Sequence, residues 1–316
     1  MATVLQIEGL TKSIHGHPIL SDVQFKAQTG RIVGLLGPNG AGKTTTLRIA
    51  VQLMHADQGT VKVNDLDVTK DFTAAIKQVG ALIEAPDFYT YLTGRQNLRQ
   101  LANMSHQTIS AADIDRVLAE VGLTEAADKK VRTYSLGMRQ RLGIAQAIFH
   151  QPELLLLDEP LNGLDPQGAH DLREVLRQMA AKGVAVVISS HMLSEIDQVA
   201  DDLVVMDHGR VIFDDTMRAL KQAQSRRVML RTPNEAAAKQ VLTAMSLTYD
   251  YHDGEFAISW PQEKGPVLPL AQALFDQRIL ITELHEVDAS LEESFLNFVK
   301  QHDAGAAQTT KEATHA

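Results

Sequence analysis

Gly37-Pro38-Asn39-Gly40-Ala41-Gly42-Lys43-Thr44, with Thr45 directly after it, satisfies the pattern G-x-x-x-x-G-K-[ST]. Ahead of it, Arg31–Gly37 (RIVGLLG) reads as a buried strand. Behind it, Leu47, Ala50, Val51 and Met54 recur at helical spacing. A strand, this loop and a helix in that order make a phosphate-binding loop. The residue types follow from the chemistry. Glycines let backbone N–H groups curl inward around phosphate oxygens. The helix start aims its dipole at the same anion. Lys43 adds a compact positive charge for the β- and γ-phosphates, and the Thr44 hydroxyl can ligate Mg²⁺. Gly37 to Thr45 are thus the candidate cradle for a nucleotide.

Working outward, short apolar runs alternate with helical stripes. Leu154–Leu157, Val184–Ser189 and Leu203–Met206 read as further buried strands. Asp165 is a good N-cap with Pro166 at the first helical position, and Leu172, Val175, Leu176 and Met179 give the stripe of the helix that follows. Strands separated by helices predict an α/β core with a mainly parallel sheet. Between about residues 86 and 150 the pattern is purely helical, with a Ser110-x-x-Asp113 capping box ahead of Ile114, Val117, Leu118 and Val121. The first domain is expected over residues 1–220. After it the texture changes. Arg227–Arg231 reads as a strand, and Thr232-Pro233-Asn234-Glu235 as a capping box opening a helix to about Met245. Leu247–His252 and Glu255–Trp260 flank the hairpin signal Asp253-Gly254. A helix over Pro266–Gln277 and a strand over Ile279–Val287 complete β-α-β-β-α-β, which suggests a small ferredoxin-like α+β domain over 221–302. Ser290-Leu291-Glu292-Glu293 caps a last helix to about Gln301, and 303–316 read as a disordered tail.

A second chemical signal follows the run Leu154–Leu157. Asp158 and Glu159 stand at the carboxyl edge of the sheet, where ligands of open α/β sheets bind. Asp158 is placed to hold Mg²⁺, and Glu159 could polarise a water for in-line attack on a γ-phosphate. Three more stretches extend the pattern: Tyr134-Ser135-Leu136-Gly137-Met138-Arg139-Gln140-Arg141, Leu161-Asn162-Gly163-Leu164-Asp165, and Ser189-Ser190-His191. In this order and spacing they resemble the ATP-binding cassette (ABC) ATPases of membrane transporters, over about residues 4–215. The resemblance implies a P-loop nucleoside-triphosphatase core with an all-helical insertion. It makes Ser135–Met138 the family signature, Leu161–Asp165 the D-loop and His191 the switch histidine. It also implies two cassettes facing head to tail, with ATP between the P-loop of one and the signature of the other. Residue logic fits: Ser135 at a helix N-cap, with Gly137 just inside, offers a hydroxyl and free N–H groups that a second subunit's ATP would satisfy. Ser135, Gly137 and Asp165 therefore join the candidate ATP contacts.

The chain departs from the family pattern in three places. Where a glutamine is usual, Gly80-Ala81-Leu82-Ile83-Glu84-Ala85-Pro86 has Glu84, which keeps an acceptor oxygen near the metal but adds negative charge. Where an adenine-stacking aromatic is usual, Leu10-Thr11-Lys12-Ser13-Ile14-His15 has Ile14. In the signature, Leu136 and Met138 replace the commoner Gly and Gln. Glu84, the segment Pro86–Tyr89 and the Ser-Leu-Gly-Met signature together resemble the subgroup linked to bacitracin and lantibiotic export or immunity. The resemblance also puts the permease's coupling helix at the cluster Phe88, Tyr89 and Tyr91, which aromatics suit.

Composition bounds the rest. The 316 residues carry 30 basic and 39 acidic side chains, a net −9, which disfavours a nucleic-acid partner. Cysteine is absent, so thiolate metal sites and cysteine nucleophiles are excluded. No secretory signal is visible in Met1–Lys12, and the longest apolar runs fall far short of the ~20 residues that cross a bilayer. His15 and His17 lack further ligands at metal spacing, and Lys129-Lys130 and Arg226-Arg227 read as solvated pairs. The expectation is an ATP- and Mg²⁺-dependent ATPase at the cytoplasmic face of the membrane, held by separate permease subunits, acting as a dimer and driving export of a peptide antibiotic or drug. The alternative is a non-transport cassette acting on ribosomes or nucleic acid.

Overall fold

A computed structural model describes residues 1–84, 86–104, 109–222, 226–260 and 265–288. The chain divides into two compact units, Met1–Met217 and Arg218–Ala316.

In the first unit the chain runs β1 (Thr3–Ile14), β2 (His17–Gln28), β3 (Ile32–Leu36), α1 (Lys43–Ala50), β4 (Gln58–Val63), β5 (Leu66–Asp67), α2 (Phe72–Ile76) and β6 (Val79–Leu82). The helical segment follows as α3 (Gly94–Met104), α4 (Ala111–Glu120) and α5 (Leu136–Ile148). The chain then returns through β7 (Leu154–Leu157), α6 (Pro166–Ala181), β8 (Ala185–Ser190), α7 (Leu193–Asp197), β9 (Asp202–Asp207) and β10 (Arg210–Thr216); α8 (Met217–Gln222) begins on the last residue of this unit and otherwise belongs to the second.

Six strands form one sheet in the order β10-β9-β3-β8-β7-β6, parallel except for the β9–β10 pair. This is the parallel core expected from the buried runs, which are apolar throughout because both faces are covered. Every residue of β3, β7 and β8 is buried. A second sheet, β2-β1-β4-β5, is antiparallel and does not show in the sequence pattern. Its inner face (Leu5, Ile7, Leu10, Val23, Phe25, Ala27) and the P-loop helix (Leu47, Ile49, Ala50) close one core with Leu35, Leu156 and Val187 of the parallel sheet.

Several local signals act as read. The Ser110 hydroxyl accepts from the Asp113 N–H, and the Asp113 carboxylate accepts from the Ser110 N–H, so both halves of the capping box are made. Asp165 caps α6 through the Gly168 N–H at 3.2 Å, with Pro166 in the first turn. The helical stripe after the P-loop is shorter than expected. α1 stops at Ala50, because Gln52 takes a left-handed φ of 59° that no helix can propagate through. Val51 and Met54 still pack against the core from beyond its end.

The second unit contains β11 (Arg226–Arg231), α9 (Glu235–Ala244), β12 (Tyr249–His252), β13 (Glu255–Trp260), α10 (Leu268–Asp276) and β14 (Glu283–Asp288). The sheet order is β12-β13-β11-β14 and every pair is antiparallel, which is the ferredoxin-like arrangement. Asp253 and Gly254 both have positive φ, 49° and 82°, as a two-residue hairpin of this type requires. Val228, Leu230, Phe256, Ile258 and Trp260 close its core with Val241, Leu242, Leu270 and Leu274. Several boundaries differ from expectation. Thr232 does not cap α9: its hydroxyl accepts from the Asn234 N–H two residues on, which makes a turn and leaves Pro233 outside the helix. Asn234 is the N-cap residue, but its side chain accepts from the Leu280 N–H instead of capping. The last strand starts at Glu283 rather than Ile279, and α10 spans Leu268–Asp276 within the expected Pro266–Gln277. The helix expected over 290–301 and the tail at 303–316 lie outside the described residues.

Gly80 on β6 permits the closest packing of α5's end on the sheet, since a Cβ there would stand 2.2 Å from the Ala147 carbonyl oxygen. Gly80→Ala is expected to destabilise the first unit by about 1–3 kcal/mol. A thermal melt with an unchanged midpoint would contradict this packing.

Candidate functional site

The parallel register decides which residues meet. β3 lies between β8 and β9, and β7 lies beside β8. Their carboxyl ends therefore come together, and each is followed by one of the chemical stretches. Gly37–Thr45 leaves β3, Asp158-Glu159 leaves β7, and His191 leaves β8.

The loop's shape depends on its glycines. Gly42 has φ 101° and Gly40 has φ 86°, in the left-handed region that side chains disfavour. A Cβ on Gly37 would fall 2.2 Å from the Met206 carbonyl oxygen, so the loop can start only from glycine. Gly42 precedes α1 and supplies no side-chain cap. The N–H groups of the first turn thus have no intrahelical acceptor and present partial positive charge.

Lys43 is only 6% exposed. Its ammonium donates to the carbonyls of Gly37 at 2.7 Å and Pro38 at 3.2 Å and stands 3.5 Å from Glu159 Oε1. The Thr44 hydroxyl donates to Asp158 Oδ2 at 2.8 Å. The Ser189 hydroxyl donates to Asp158 Oδ1 at 2.5 Å and accepts from the Glu159 N–H at 2.8 Å. Glu159 has φ 47°, left-handed for a non-glycine residue, so its backbone is held where it does not relax freely. Its other carboxylate oxygen, Oε2, lies 2.9 Å from His191 Nδ1. Ionised Glu159 can only accept, so this bond puts the proton on Nδ1.

A cleft of about 400 Å³ opens over the loop. Its walls include Asn39, Gly40, Ala41, Gly42, Lys43, Thr44, Thr45, Glu159 and His191, and on the other side Ile14. Ile19, which sequence reasoning missed, and Asn162, read there only as part of Leu161–Asp165, also line it. Ile14 and Ile19 flank the turn His15-Gly16 of the β1–β2 hairpin, whose φ values of 50° and 82° form the same two-residue hairpin signal as Asp253-Gly254. Reading that signal would have found both the hairpin and the apolar wall. Ser189 stands out in sequence only as part of a Ser-Ser-His context.

Ser135, Gly137, Asp165 and Glu84 are not among the residues lining this cleft. Ser135 is exposed at the N-cap of α5, its hydroxyl accepting from the Met138 N–H at 3.2 Å. Gly137, just inside, is buried where the starts of α5 and α6 meet: a Cβ on it would stand 3.4 Å from Gly168 Cα. Residues 136 and 163 also lie side by side: a Cβ on Gly163 would stand 3.2 Å from the Leu136 side chain. Glu84 does not reach towards Thr44 and Asp158 as expected. It takes a left-handed φ of 75° and forms an ion pair with Arg48 of α1. Among the described residues no group of three His, Asp or Glu could hold a metal. Thr44 and Asp158 nonetheless form a hydroxyl–carboxylate pair of hard oxygen ligands, which suits Mg²⁺, an ion that keeps several waters and takes few protein ligands.

Ser189→Ala removes one donor to Asp158 and the acceptor of the Glu159 N–H. The expected loss is about 1–3 kcal/mol, read as a lower urea midpoint. An unchanged midpoint would show that the hydroxyl does not hold this corner.

Comparison with known proteins agrees with the geometry. The family model described as ABC transporter matches residues 20–162. The chain is 39% identical over 300 residues to the ABC transporter ATP-binding protein YdbJ of Bacillus subtilis, covering 95% of this chain and 96% of that one. It is 34% identical over 303 residues to the bacitracin transport ATP-binding protein BcrA of Enterococcus faecalis, covering 95% and 97%. It is 35% identical over 211 residues to the lantibiotic transport ATP-binding protein SrtF of Streptococcus pyogenes, covering 67% and 90%. Among solved structures, the ATP-binding subunit of an ABC transporter superposes with a TM-score of 0.61 at 30% identity, covering 69% of this chain and 92% of that one. The chain belongs to the ABC transporter family, as an ATP-binding subunit that hydrolyses ATP.

Proposed function

We propose that this subunit powers export of a peptide antibiotic or drug through separate membrane permease subunits, working as one of two copies at the cytoplasmic face of the membrane. The observation that carries the hydrolytic part is Glu159, poised between Lys43 and His191 at the mouth of the cleft. Export of a peptide antibiotic is supported by the names of the bacitracin and lantibiotic relatives, which also weigh against a ribosomal or nucleic-acid role. The need for a permease is consistent with the described residues, none of whose helices is long and apolar enough to cross a membrane. The cassette is taken as residues 1–220 and the accessory part as 221–302.

In this reading the N–H groups of Gly40 to Thr45 bind the phosphates, and Pro38 and Asn39 shape the loop. Lys43 exchanges the carbonyls of Gly37 and Pro38 and the Glu159 carboxylate for phosphate oxygens. Its ammonium is already desolvated, so that exchange loses little water. Thr44 and Asp158 would hold Mg²⁺, with Glu84 kept off the ion by its pair with Arg48; the ion would supply charge neutralisation at the phosphates. Glu159 acts as general base and orients the attacking water. His191 aims Glu159 through Nδ1. A neutral imidazole bonded in this way carries no proton on Nε2. Donation from His191 to a γ-phosphate therefore requires either protonation or release of Glu159. Ile14 and Ile19 give the base an apolar wall without stacking. Ser135, Gly137 and Asp165, exposed or packed away from this cleft, serve the nucleotide of the second copy. The exposed pair Tyr89 and Tyr91, with rings 5.8 Å apart, offers the permease a grip. Asn97 fixes that loop by accepting from the Tyr89 N–H and donating to the Tyr89 and Thr93 carbonyls.

Glu159→Gln is expected to lower turnover about 100-fold or more while ATP still binds and brings two copies together on size exclusion. Unaltered turnover would remove Glu159 as the base. Cells lacking this subunit should become more sensitive to bacitracin or to a lantibiotic. Equal sensitivity across both classes would overturn the substrate proposal and leave the ATPase assignment standing.

A further inference from the structure

The ion pair between Arg48 and Glu84 joins two parts of the fold that meet nowhere in sequence. Arg48 lies on α1 four residues after Thr44, so it shares that residue's helix face one turn further from the phosphate loop. Glu84 lies two residues beyond β6, whose last residue, Leu82, accepts from the Asp158 N–H at 2.9 Å. The chain between β6 and the helical segment thus begins beside Asp158, the residue that follows β7. On its other flank it packs against α5. A Cβ on Gly143 would stand 3.1 Å from both Leu82 and Pro86. Glu84 itself holds φ at 75°, and its carboxylate turns to α1.

The pair is partly exposed, Arg48 at 35% and Glu84 at 64% of the side chain, and exposed pairs add little to stability. Its effect is on charge instead. A free carboxylate at this corner would repel a triphosphate bound over α1's first turn. Arg48 removes that repulsion and fixes where the carboxylate stands.

We propose that Arg48 is a positioning residue for ATP: by pairing with Glu84 it neutralises this carboxylate and ties the chain leaving β6 to the P-loop helix. The proposal rests on residues 37–45 as the ATP site. It goes beyond that reading because Arg48 does not line the cleft over the loop and acts through Glu84.

The test is a double-mutant cycle on the full chain: wild type, Arg48→Ala, Glu84→Gln and both together. ATP affinity with Mg²⁺ is measured by titration calorimetry at low and high ionic strength, with the thermal midpoint of each variant. Arg48→Ala alone is expected to weaken ATP roughly three- to fivefold at low salt, less at high salt, with the midpoint almost unmoved. Arg48→Lys should restore most of the affinity. On the Glu84→Gln background, Arg48→Ala should change affinity less than about twofold. An equal loss on both backgrounds, or no loss on either, overturns the proposal. If Arg48→Ala does not fold, the exchanged pair Arg48→Glu with Glu84→Arg carries the test, and affinity within about twofold of wild type supports it. Wild type without measurable ATP binding would instead bring down the ATP-site reading, and this inference with it.

Discussion

The ammonium of a lysine that is 6% exposed must find its solvation inside the protein, and Lys43 finds it in the carbonyls of Gly37 and Pro38 and the carboxylate of Glu159. Much of the surrounding structure answers to that one requirement. The loop has to fold back over its own lysine, which needs left-handed backbone at Gly40 and Gly42 and no side chain at Gly37. Glu159 has to stand at the mouth of the loop, which the parallel pairing of β3, β8 and β7 provides and the Ser189 hydroxyl secures. Two of the three groups on the lysine are neutral carbonyls, and the third, the Glu159 carboxylate, is bonded to His191 as well.

The parallel core and the phosphate loop were legible because their signals are local or saturated. Leu154–Leu157 has no alternation to misread, since both of its faces are covered. Ser110 and Asp113 form a complete box within four residues. The antiparallel sheet was not legible, because register shifts interrupt the pairing of β1 with β2 after Thr3, Ile7, Leu10 and Lys12. Each shift resets the side-chain alternation on which a strand reading depends. Thr232 misled for the opposite reason. The residue types of a capping box were present, but the Thr232 hydroxyl closes a turn on the Asn234 N–H two residues on, and the helix begins later, at Glu235.

The corner around Asp158 and Glu159 was partly legible. Asp158, Glu159 and His191 stood out because each ends a buried strand. Their mutual contacts depend on register, which no single segment encodes. Ser189 joins Asp158 to the Glu159 backbone only because Leu157 pairs with Ile188. Arg48 and Glu84 are 36 residues apart and both partly exposed, so nothing local marks them as a pair.

Ile14 and Ile19 lie either side of a hairpin tip in the antiparallel sheet, while the phosphate loop belongs to the parallel one. The cleft is therefore assembled from two separately hydrogen-bonded layers. A nucleotide seated across the seam would act as a clamp, linking its own affinity to the cohesion of the layers.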